Sequence, residues 1–114
     1  MNKVVLKLFG LLVVFLILLP FRTIAWDGAV SGAITNIDVT GHNNYDFRIT
    51  LEGSPQLCGN DNRWAYINQS DSNYQTFSSV LLAAKLTGEL VTIYANQEKI
   101  SGQSYCHIGY ISIR

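Results

Sequence analysis

Ser72–Gly88, SNYQTFSSVLLAAKLTG, is the one convincing helical stretch after the N-terminus, and strand-like sequence flanks it on both sides. Tyr74, Phe77, Leu81 and Ala84 recur at intervals of three and four residues, with Val80 and Leu82 widening the stripe; this is the period of a helix that buries one face. Ser72 stands where an N-cap is needed and Gln75 follows three residues on, a capping-box spacing. Gly88 offers the left-handed residue that ends a helix. A stripe of this kind packs a core, and no chemistry is read from it. Three strand-like segments precede the helix and two follow it. The order predicts a mainly β chain with one α-helix (β-β-β-α-β-β), a small five-stranded barrel plugged by the helix.

Before the helix, Val30–Thr40 carries apolar residues at Val30 and Ile34 and then changes parity to Ile37 and Val39. That change predicts a bend or bulge in a strand serving two sheet edges. Gly41–Asn44 is a polar turn, after which Tyr45, Phe47, Ile49 and Leu51 alternate with Asp46, Arg48, Thr50 and Glu52. The alternation predicts a strand with one face in the core and the other in water. Gly53–Pro55 ends it, and residues 56–63 form a polar loop around the turn-prone Gly59–Asn62. The third strand, Trp64–Asn68, is ambiguous: either Trp64 with Tyr66 or Ala65 with Ile67 faces the core. Leu90–Ala95 reads as a fourth strand, Asn96–Gly102 as a polar turn and Tyr105–Ile113 as a fifth strand.

The N-terminus has the pattern of a secretory leader. Lys3 and Lys7 precede an uncharged run from Leu8 to Leu19, Pro20 breaks it, and Thr23–Ala25 supplies small residues for cleavage. Residues 1–25 are therefore expected to be a signal peptide and residues 26–114 a single domain. The apolar run is short for a membrane span; an uncleaved anchor would need it extended toward Val4 and Ile24 in a tilted helix. Without the leader, five basic residues (Arg48, Arg63, Lys85, Lys99, Arg114) stand against eight acidic ones, a net charge of −3. Scattered, mildly acidic charge lacks the footprint of a nucleic-acid binder, and no membrane association is expected after cleavage.

Two cysteines, Cys58 and Cys106, lie in the remaining 89 residues. A leader sends them to an oxidising compartment, where a disulfide is the natural pairing. A pair of free thiols at a metal or catalytic site is the alternative, but only His107 adjoins and no paired ligand spacing is present. His42 and His107 are the only histidines, and neither lies in a recognisable nucleophile arrangement. Ser78 and Ser79 fall inside the helix without an elbow motif, and no glycine-rich phosphate loop is present. No catalytic residue, metal ligand or cofactor is assigned.

Recognition is the remaining class. A sugar ring needs a flat aromatic face beside amides and carboxylates for its hydroxyls, and small barrels offer both on strands and loops. Asn60, Asp61, Asn62 and Arg63 with Trp64 and Tyr66 form the richest such set, and Asn43 and Asn44 with Tyr45 beside His42 the next. Trp26–Asp27 is a third place with the same mixture. The competing reading of the first two is that the Asn/Asp runs make turns while an aromatic residue fills the core; Trp26 equally suits covering a barrel end.

An Ala-x-x-x-Gly helix end at Ala84–Gly88, an apolar strand at Leu90–Ile93, and a cysteine entering a final Ile-rich strand at Cys106–Ile113 together resemble the small secreted bacterial proteins similar to the subtilase cytotoxin B subunit. The resemblance spans most of the chain after the leader, and its motifs describe structure more than a site. It implies an OB-fold and a carbohydrate-binding role; the toxin subunit is a pentamer that binds sialylated glycans and delivers a catalytic partner. This chain has one cysteine pair where that subunit has more. The expected function is a non-catalytic secreted or periplasmic glycan-binding module. The alternative is a protein-interaction or inhibitor module of the bacterial envelope, binding through a sheet edge or the helix.

Overall fold

A computed structural model describes residues 25–114; the expected leader, but for Ala25, lies outside the described residues. The chain forms β1 (Gly28–Val39), β2 (Phe47–Leu51), β3 (Ala65–Ile67), α1 (Tyr74–Thr87), β4 (Leu90–Ile100) and β5 (Gln103–Ile113). The strands close into a barrel in the order β1-β2-β3-β5-β4, an OB-fold-like arrangement in which only the β3–β5 contact is parallel.

Closure depends on β1 serving two neighbours. Gly28–Ala33 pairs with β4, whereas Ile34–Val39 pairs with β2. Between the two halves Thr35 is an extra residue in the ladder, and its hydroxyl donates to the Thr50 carbonyl at 3.1 Å. The parity change in the sequence is this bulge, which turns the strand from one side of the barrel to the other. Val39, the last residue of β1, is exposed.

Inside the barrel, alternate residues of each strand meet: Ile49 and Leu51 of β2, Ala65 and Ile67 of β3, Val91, Ile93 and Ala95 of β4, and Ile108 of β5. Burying each large aliphatic side chain contributes about 1.5–3 kcal/mol. Helix α1 supplies Leu81 and Ala84 to this core, with Tyr74 and Phe77 partly buried against it. Leu82 is exposed, so the buried stripe is narrower than its spacing implied.

The helix start also differs from expectation. Asn73, not Ser72, is the N-cap, and no side chain caps the first turn. The entry is built by backbone turns instead, with Asp71 N–H donating to Asn68 O and Tyr74 N–H to Asp71 O. Gly88 closes the helix as expected, left-handed at φ 73° and donating to the Ala84 carbonyl.

Strands β4 and β5 run on as a hairpin beyond the barrel, paired through Ile100 and Gln103. The turn is only Ser101–Gly102, both at positive φ, the two-residue form whose twist matches antiparallel strands. Asn96–Lys99 had the polarity of a turn because this arm of the hairpin has no core to face. The Cys58–Cys106 disulfide forms, joining the loop before β3 to β5 across 48 residues.

Candidate functional site

The outer faces of β2, β3 and β5 carry a cross-strand row in which Arg48 lies opposite Tyr66 and Tyr66 beside His107. On this row sits an aromatic cluster. Tyr66 is its floor: although its side chain points outward, it is fully buried, covered edge-on by Tyr45 at 4.7 Å and stacked on His107 at 5.0 Å. The ambiguity of the third strand resolves on both sides, because Ala65 and Ile67 enter the barrel core while Tyr66 is buried outside it. Above the floor, Trp64 stacks on Tyr105 at 5.2 Å, and Tyr105 packs against Tyr45 at 4.5 Å. Tyr45, Trp64 and Tyr105 are each partly exposed.

Arg48 fastens this cluster to the connection between β1 and β2. Its guanidinium carbon lies 4.5 Å from the Trp64 ring centre, a cation–π contact, while its N–H groups donate to the carbonyls of Tyr45 and Asn44 at 3.0 Å each. Tyr45 sits at φ 54°, so the chain kinks before β2 and swings the ring over the sheet. Burial, followed by the neighbouring Tyr105 and Glu98, raises the Tyr45 hydroxyl above its ordinary pKa.

A polar chain borders the rings. The Tyr66 hydroxyl donates to Glu98 Oε2 at 2.6 Å; burial first, and then this carboxylate, pushes the phenol far above its ordinary pKa. His107 places Nδ1 3.1 Å from the same Glu98 oxygen and Nε2 2.7 Å from Asp71 Oδ2. Strands β3, β4 and β5 and the β3–α1 connection thus meet at one imidazole.

Asp46 was expected on the wet face of β2. It is instead buried, because the kink at Tyr45 turns it under the loop, where Asn44 N–H and Gln69 N–H donate to its two oxygens at 3.0 and 2.7 Å. Burial alone would raise its pKa, but these amide donors, with that of Asn43 and the charge of His42, outweigh it and hold the carboxyl below the ordinary range.

The remaining sequence candidates divide by role. Asn60 donates to the Ser104 carbonyl and hydroxyl and accepts from Asn62 N–H, and Asn62 Oδ1 accepts from Trp64 N–H. Both shape the loop that presents Trp64. Asp61 and Arg63 are exposed, with Arg63 donating to the Ser54 carbonyl. Asn43 and Asn44 are exposed in the β1–β2 turn, Asn43 at φ 59°. Trp26 lies apart, 6.0 and 6.5 Å from the rings of Tyr94 and Tyr110 on β4 and β5.

Sequence reasoning did not single out Tyr105, Arg48, Glu98 or Asp71. Arg48 and Tyr105 were within reach, since strand alternation alone turns them outward beside Tyr66. Glu98 was not, because it lay in a segment read as a turn.

No group of three or more His, Cys, Asp or Glu side chains suited to a metal occurs among the described residues. No helix among them is long and apolar enough to cross a membrane. No family model matches the chain, and comparison with curated proteins and with solved structures gives no match.

Proposed function

We propose that this chain is a non-catalytic, secreted or periplasmic binding module whose ligand is a glycan, held on the outer face of β2, β3 and β5. The observation that carries the reading is the convergence of Tyr45, Trp64 and Tyr105 on that face beside Arg48. Small OB barrels hold oligosaccharides on the β2–β3 face and the adjoining β1–β2 loop. Half-covered rings beside Glu98, with the exposed Asn43 and Asn44 preceding Tyr45 in the turn, offer stacking and hydroxyl recognition together. The leader-like N-terminus and the disulfide support an oxidising compartment, and the resemblance to the toxin B subunit supports the ligand class and a pentameric ring.

A second reading has its own observation. Leu82 and Leu86 lie four residues apart on α1 and both are exposed, Leu86 at 85%. An apolar helix stripe left in water suits a protein partner, as in an inhibitor or interaction module.

A glycan-array screen of the oxidised protein, with size-exclusion chromatography on the same sample, separates the two. The glycan reading predicts binding to a defined glycan class that disappears in folded Trp64→Ala and persists in Leu86→Ser. Silence on every glycan from a folded sample contradicts it and turns attention to α1.

A further inference from the structure

A cleft of about 530 Å³ opens between His42, in the β1–β2 connection, and residues 69–76, which lead into α1. Its size falls within the range of small-molecule sites, roughly 300–1,000 Å³. The two walls are joined beneath by Asp46, which accepts an amide from each connection, Asn44 N–H on one side and Gln69 N–H on the other. His42 Nδ1 and Gln69 Oε1, 2.9 Å apart, join them again at the surface. Asp71 is fixed from two directions, by Asn68 N–H at 2.8 Å and by His107. The cleft is therefore shaped before any ligand arrives.

Its chemistry is specific in what it offers and what it lacks. Ser72, Gln75 and Thr76 present exposed neutral side chains, and Gln75 engages its own helix through the backbone carbonyl, which accepts from Ser78 and Ser79. Asp71 contributes a carboxylate, an acceptor suited to adjacent hydroxyls. Tyr74, packed edge-on to Phe47, contributes a ring. Among the described residues no lysine or arginine lines the cleft, whose one imidazole, His42, is engaged at Nδ1 by Gln69 while Asp71 sets a carboxylate in its wall; a phosphate or carboxylate would find few of the charge-assisted donors that hold it.

We propose that this cleft is a subsite for an uncharged sugar residue, adjoining the aromatic face through the Asp71–His107 pair. His107 stacks on Tyr66, the floor of that face, while the carboxylate it holds lines the cleft. The Asp71–His107–Tyr66 chain thus links the wall of the cleft to the floor of the aromatic face. The inference rests on the glycan reading above and adds to it a location and a charge preference.

Amide-shift mapping on the isotopically labelled, oxidised protein tests it, with methyl glycosides of glucose, galactose and mannose, with N-acetylglucosamine, and with N-acetylneuraminic acid as the anionic probe. The expected result is a saturable shift of the amides of His42 and residues 69–76 with at least one neutral sugar and none with the anion. In Gln75→Ala/Thr76→Ala, whose positions are exposed, the dissociation constant should rise about tenfold or more. Cleft amides silent to every neutral sugar, cleft shifts with the anion, or unchanged affinity in the double variant would each overturn the subsite. Shifts confined to Tyr45, Arg48, Trp64 and Tyr105 would overturn it while leaving the glycan reading of the aromatic face intact; silence at both places would sink the two together.

Discussion

Asp46 shows how a single residue departs from its pattern for a physical reason. Strict alternation from Tyr45 to Glu52 puts it in water, yet the positive φ of Tyr45 breaks the alternation two residues before β2, and the carboxylate becomes the buried acceptor that joins two loops. Period-two patterning cannot register a left-handed non-glycine residue, so this part of the site was not legible. Because the folded carboxyl lies below its unfolded value of about 3.8, its contribution is fully present above that pH and lost as pH falls through the folded value. Asp46→Asn should cost about 1–3 kcal/mol at neutral pH, and urea midpoints should converge between wild type and variant as pH drops below 3.8. Parallel curves at pH 7 and pH 3 would contradict the assignment. Gly109 gives a second residue-scale test. It is the extra residue where the β4–β5 register shifts, and a Cβ there would overlap the Trp26 ring. Gly109→Ala should displace the indole and cost about 1–3 kcal/mol by overpacking, with a smaller cost when Trp26 is already alanine; equal cost in both backgrounds would place the strain elsewhere.

Among the elements, those with a core to face were the ones the sequence made legible. The bulge in β1, the alternation of β2 and the Gly88 end of α1 all follow from residues that must be buried or must adopt a left-handed backbone. The helix start and the β4–β5 hairpin were misjudged because neither depends on burial: backbone turns replace the side-chain cap, and polar residues form a projecting arm. Tyr66 stood in the candidate site and is present there, but as its buried floor. The disulfide fastens the loop that presents Trp64 to β5, next to Tyr105. Replacing both cysteines by alanine should destabilise the fold by about 4 kcal/mol on the loop-entropy model, for a link spanning 48 residues. Chemical denaturation of the double variant measures this, and a loss below about 1 kcal/mol would mean that the unfolded chain is already compact there.

For the molecule as a whole, element order was enough to anticipate a small five-stranded barrel, since three strands, a helix and two strands around one small core leave few ways to cover every sheet edge; that the ring of strands closes is a finding of the structure. Order along the chain did not reveal which outer face gathers the rings. Tyr45, Trp64 and Tyr105 come from three separate segments, and only the parallel β3–β5 contact brings the last of them beside the other two. Trp64 is the natural reporter for the glycan proposed on this face. Tryptophan fluorescence should be followed as an array-positive glycan is titrated into wild type, Trp64→Phe and Trp26→Phe. A saturable change that survives in Trp26→Phe and vanishes in Trp64→Phe is the predicted result. A change that vanishes only in Trp26→Phe, or binding that leaves both tryptophans unmoved, would contradict it.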